Sequence, residues 1–109
     1  MNHLIADGWS ESEQTIAREA FARAYERAIV KLVEAVQIRS AALQSADSIW
    51  ELHDFLSIER HTMEGRFDFR LNEILFIFAS LVRDNLLQLQ ELDGLAADKL
   101  TKISAMSKF

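Results

Sequence analysis

Seven residues of one segment, Trp50, His53, Asp54, Ser57, Arg60, His61 and Glu64, bring together the side chains best suited to chemistry in this chain. At about 100° per residue on a helix they share one arc of roughly 120°. Leu52, Leu56 and Met63 cluster on the opposite side, with Ile49 at their edge. A hydrolytic triad is the first chemistry to test. His53 and Asp54 are adjacent, so their side chains are expected to diverge by about 100° and not to pair as base and orienter. The chain also has no Gly-x-Ser-x-Gly, no phosphate-cradling glycine loop and no Cys. A metal site fares no better, because His53 and His61 stand about 12 Å apart along a helix axis while metal–nitrogen bonds are about 2 Å. His61 with Glu64 supplies only two ligands. Neither catalysis nor a cofactor or metal is expected.

Protein recognition remains. Trp and Arg dominate interface hot spots, since a rigid ring and a planar charged fork gain much contact for little lost freedom. The competing reading places Trp50 under a neighbouring helix, with Asp54 paired to Arg60 or His53 in an ordinary internal network. Arg60, His61, Arg66 and Arg70 form a local basic patch, either solvated or a contact for an acidic partner. Lys99, Lys102 and Lys108 read as a solvated face near a helix C-terminus. Phe67, Phe69, Phe76, Phe78 and the three Met read as core or interface packing.

The elements that hold these residues follow from punctuation. There is no Pro, and only three Gly, at 8, 65 and 94, in 109 residues; about three long helical blocks result. Ser10 and Glu13 form a capping box opening a helix whose apolar stripe (Ile16, Ala20, Phe21, Ala24, Tyr25, Ala28, Ile29, Leu32, Val33, Val36) runs about 30 to 35 residues, or about 50 Å. A compact chain of this length has a radius of gyration of about 13 Å. The helix exceeds the body it belongs to, so part of its stripe needs a partner chain. Ser48 and Glu51 predict a second capping box, for a helix ending at Gly65 in a left-handed conformation. Asp68 predicts the cap of a third helix, apolar almost all round from Leu71 to Leu86 and so buried on most sides. A short last helix, marked by Leu100, Ile103 and Met106, follows Gly94.

Composition sets outer limits. Half the residues are apolar, which excludes disorder. The net charge of −5 argues against a nucleic-acid binder. The longest apolar run, Ile74 to Ala79, is far short of the roughly 20 residues of a membrane span, and Met1 to Gly8 has no basic region, so no secretory signal is expected.

The strings Ile49-Trp50-Glu51-Leu52-His53-Asp54-Phe55-Leu56-Ser57, Arg60-His61, Gly65-Arg66-Phe67-Asp68 and Leu95-Ala96-Ala97-Asp98-Lys99 resemble the fluorescence recovery protein family of cyanobacteria, from Trp9 to the C-terminus. The resemblance implies an all-α obligate homodimer, in some cases a tetramer, with a helical stalk carrying the dimer interface (9–65) and a compact helical head (66–109) in a single domain, 1–109. It implies a non-enzymatic regulator binding the C-terminal domain of the photoactivated orange carotenoid protein, speeding its red-to-orange return and its departure from the phycobilisome. Antenna fluorescence then recovers after photoprotective quenching. The location implied is cytoplasmic, at the cytoplasmic side of the thylakoid membrane through the phycobilisome. The family's central contact patch corresponds to Trp50, His53, Asp54 and Arg60, and a second contact in the head to Phe76 and Lys102. Ile58-Glu59 departs from the small residue and base expected before Arg60, and Arg66-Phe67 from the commoner Lys-Tyr. The alternative is a dimeric scaffold for a different protein in a bacterium without phycobilisomes.

Overall fold

The computed structural model describes residues 8–109; the stretch on which the expectation of no secretory signal rests lies mostly outside them. Helix α1 spans Glu11–Ala41, 31 residues, about 46 Å long. It starts as expected, with the Glu13 N–H donating to Ser10 Oγ at 3.2 Å and the Ser10 N–H to Glu13 Oε1 at 3.1 Å. A tight turn leads into α2, Ala46–Arg66, running back antiparallel along α1: Arg39 stacks on the Phe55 ring, and Phe67 meets Phe21 and Tyr25 edge-on. Helices α3 (Ile74–Arg83) and α4 (Ala97–Met106) follow, joined through a 3-10 turn at Leu89–Leu92. The fold is all-helical.

Three boundary expectations are corrected. Ser45, not Ser48, caps α2; Ser48 is the reciprocal partner, its Oγ accepting the Ser45 N–H at 3.1 Å. A hydroxyl at the third helical position can do what Glu does in the commoner box, and Glu51 is left inside the helix. Gly65 does not end α2. The helix continues through Arg66, which pairs with Asp84, to Phe67, which docks on Phe21 and Tyr25; these tertiary contacts outweigh the ~1 kcal/mol penalty of a helical glycine. Asp68 caps nothing, since it pairs with Arg70 at 2.7 Å, and α3 begins after Glu73 without a side-chain cap.

The core joins α1 from Ala17 to Ala28 to α3, the segment between α3 and α4, and α4, with Met63, Phe67, Phe69 and Leu71 packed at its edge. Ala17, Ala20, Ala24 and Ala28 face Ile74, Phe78, Leu81, Leu87, Leu92 and Ile103 in one buried cluster with Trp9. Small residues on α1 allow close approach of this layer, while the larger apolar residues of its stripe are turned aside and only partly covered. Helix α3 is not enclosed on all sides, since Phe76 is 69% exposed. Helix α2 has no buried residue at all. The molecule measures 62 × 25 × 18 Å with a radius of gyration of 17.2 Å, against about 13 Å for a compact chain.

Gly94 closes the turn before α4 at φ +108, where an added Cβ would strike the Ile16 side chain. Gly94→Ala should therefore cost about 2 kcal/mol, chiefly through backbone strain, since the Ile16 tip can yield. Thermal unfolding checks this: Gly94→Asn should lose less, because Asn tolerates the left-handed region better.

Candidate partner-binding surface

The α2 arc exists as an exposed face. Trp50 is 62% exposed, so it lies under no neighbouring helix of its own chain. Its ring meets His53 edge-on at 6.3 Å between centroids, and His53 Nδ1 lies 3.3 Å from Asp54 Oδ1. The divergence expected of His53 and Asp54 is thus corrected: rotation about their side-chain bonds closes a gap that the angle between neighbouring Cα–Cβ directions suggested was open. Both side chains remain more than two-thirds exposed, so they make a solvated hydrogen-bonded pair with no protein wall around them. Nearly two turns on, the Arg60 Nε–H donates to Glu64 Oε2 at 3.3 Å. The face thus combines an aromatic plate, an imidazole–carboxylate pair and a guanidinium with its outer edge open.

The departures before Arg60 point elsewhere. Glu59 borders a recess of about 210 Å³ with Lys31, Leu32, Ala35, Phe55 and Met63, on the α1-facing side of α2. Ile58 is exposed, about 200° of helix rotation from Arg60. Of the basic patch read from Arg60, His61, Arg66 and Arg70, the three arginines each have an acidic partner: Arg60 pairs with Glu64, Arg66 with Asp84, and Arg70 with Asp68.

Phe76 and Lys102 meet at a second place, lining one open groove of about 630 Å³ with Leu71, Leu75 and Lys99. The expectation that Lys99 is solvated is corrected. Its ammonium donates to both Glu13 oxygens at 2.9 Å and to the Gly8 carbonyl at 2.7 Å, above the Trp9 ring. Glu13 also accepts the Ala96 N–H at 2.8 Å. Burial pushes the Glu13 carboxyl up, but the donors from Ala96, Lys99 and Ser10 together outweigh it and hold it at about 2. A second clamp lies 14 residues along α1, where Arg27 grips Glu91 bidentately at 2.7 and 2.8 Å and also donates to the Leu86 carbonyl. That hydrogen-bonded pairing lowers Glu91 to about 2, and Arg27 is raised in return. Neither long-range partnership had a local signal; only the capping role of Glu13 did.

Among the described residues, no group of three or more His, Asp or Glu side chains is placed to hold a metal ion, and no helix is long and apolar enough to cross a membrane.

Fold and surface together define an elongated all-α protein whose Trp50, His53, Asp54 and Arg60 side chains form one exposed face of α2. A family model described as the photoprotection regulator fluorescence recovery protein matches residues 9–107. A Synechocystis fluorescence recovery protein is 41% identical over 100 residues, covering 92% of each chain. The solved fluorescence recovery proteins of Fremyella diplosiphon and Synechocystis superpose with TM-scores of 0.88 and 0.87 at 42% and 40% identity, covering 93% of this chain and 99% of each of theirs. The chain belongs to the fluorescence recovery protein family of photoprotection regulators.

Proposed function

We propose that this chain acts as a homodimer that binds the photoactivated orange carotenoid protein through that protein's C-terminal domain. Binding accelerates the red-to-orange reversion and release from the phycobilisome. The observation that carries this reading is the exposed Trp50, His53, Asp54 and Arg60 face on a helix with no fully buried residue, only partly covered ones such as Phe55 and Met63. No covalent step is needed: a protein that holds one conformer, or the barrier between two, more tightly than the other shifts populations or rates by that difference alone.

The dimer is supported by the apolar surface left over. Tyr25 and Val33 on α1, and Ile49 and Leu56 on α2, are exposed at helical spacing along the α1–α2 hairpin, the stalk of this reading. Covering such a seam with a second copy removes it from water, and the elongated shape leaves it accessible. The α3–α4 region forms the head, where Phe76 and Lys102 offer a second contact beside the groove they share.

The test is a dark-recovery assay. Photoactivated orange carotenoid protein is mixed with this protein, whose dimer is first verified by sedimentation at micromolar concentration, and the return of the orange absorbance is followed. Acceleration rising with added dimer and reaching a plateau supports the reading. Unchanged decay at excess protein would leave a dimeric scaffold for another partner as the better account, and a stable monomer would refute the seam.

A further inference from the structure

We propose that Glu64 is a positioning residue for Arg60, holding the guanidinium so that its outer N–H edge faces a carboxylate of the partner protein. The inference rests on the reading of the α2 face given above. Arg60 Nε donates to Glu64 Oε2 at 3.3 Å, although both side chains are largely exposed. A guanidinium carries five N–H donors in one plane. Spending Nε–H on Glu64 leaves the four N–H groups of the two terminal nitrogens, and these include the pair that takes a carboxylate bidentately.

The neighbouring carboxylates are differently engaged: Asp54 meets His53, and Glu59 borders the recess between α1 and α2. Glu64 is thus the acid of the arc that sets the heading of Arg60. An unheld Arg side chain would lose more rotamer freedom on binding, so holding it in advance lowers that entropic cost. The opposite role, competition with the partner's carboxylate for the same guanidinium, predicts the opposite sign.

Two measurements test it. In the dark-recovery assay, Glu64→Ala should raise the concentration giving half-maximal acceleration roughly two- to fivefold, with the plateau rate unchanged, and Glu64→Gln, which keeps an acceptor oxygen, should lose less. In an Arg60→Leu background, which leaves Glu64 no cation to hold, Glu64→Ala should add nothing further to the residual dependence on concentration. Tighter binding by Glu64→Ala, or an equal loss in both backgrounds, overturns the positioning role. Independently of any partner, the Arg60 Nε–H resonance in NMR relaxation of the dimer should show restricted motion that Glu64→Ala releases. An already unrestricted Arg60 in the parent protein overturns the proposal whatever the assay shows, whereas restriction without any acceleration would count against the partner and not against the Glu64 contact.

Discussion

Glu13→Ala should lower the unfolding free energy by about 3 kcal/mol, since breaking a buried ion pair leaves an uncompensated charge behind. Glu13 is 8% exposed and accepts hydrogen bonds from Ser10, Ala96 and Lys99. Its loss would strand the Lys99 ammonium and the Ala96 N–H at the start of α4. Much of the layer it fastens is alanine on the α1 side, which buries little apolar area per residue, so the polar clasp counts for more than it would in a leucine-rich interface. The same residue sets an acid limit. A carboxyl at about 2 in the fold against 4.5 as its ordinary value contributes stability that is fully present above about pH 4.5 and is lost as pH falls toward 2. Glu91, also at about 2, acts in the same direction. Urea denaturation at fixed protein concentration should therefore show stability declining from about pH 5 downward, with a flatter profile in Glu13→Gln. A loss under 1 kcal/mol for Glu13→Ala, or an unchanged acid profile in Glu13→Gln, would show that the clasp contributes little.

What the sequence discloses here divides by distance along the chain. The Ser10–Glu13 box, the length of α1 and the existence of α2 and α4 are written in neighbours three or four residues apart, and all are found. The α2 arc is legible for the same reason, because helical periodicity alone puts Trp50, His53, Asp54 and Arg60 on one face. Errors begin where two local signals compete, as at Ser45 against Ser48, or where a distant contact overrides a local one. Gly65 stays helical because Arg66 and Phe67 find Asp84, Phe21 and Tyr25. The part-buried pairing of Lys99 has no local signal, since its partner lies 86 positions away. The groove uniting Phe76 with Lys102 likewise exists only after α3 and α4 have docked, and family resemblance, not periodicity, pointed to that pair.

Trp50→Ala should leave the fold intact and raise the concentration needed for half-maximal acceleration by about 30-fold or more, the factor matching the ~2 kcal/mol of an interface hot spot. The two halves of this prediction have one origin. A ring 62% exposed in its own chain contributes little to folding, so its removal should scarcely move Tm, whereas a partner covering it would bury a large rigid surface. Trp50→Phe keeps an aromatic plate against His53 and should recover part of the loss. Arg60→Leu tests the charged half of the face in the same assay, and its deficit should shrink less with added salt if the guanidinium pairs with a carboxylate in a water-excluded contact than if it sits on the rim. Glu13→Ala serves as the opposing control: it weakens the fold, yet below its unfolding transition it should retain the parent dependence on concentration because α2 is untouched. If Trp50→Ala accelerates recovery as the parent does while circular dichroism and sedimentation are unchanged, this face is not where the partner binds, and the groove at Phe76 and Lys102 becomes the surface to examine.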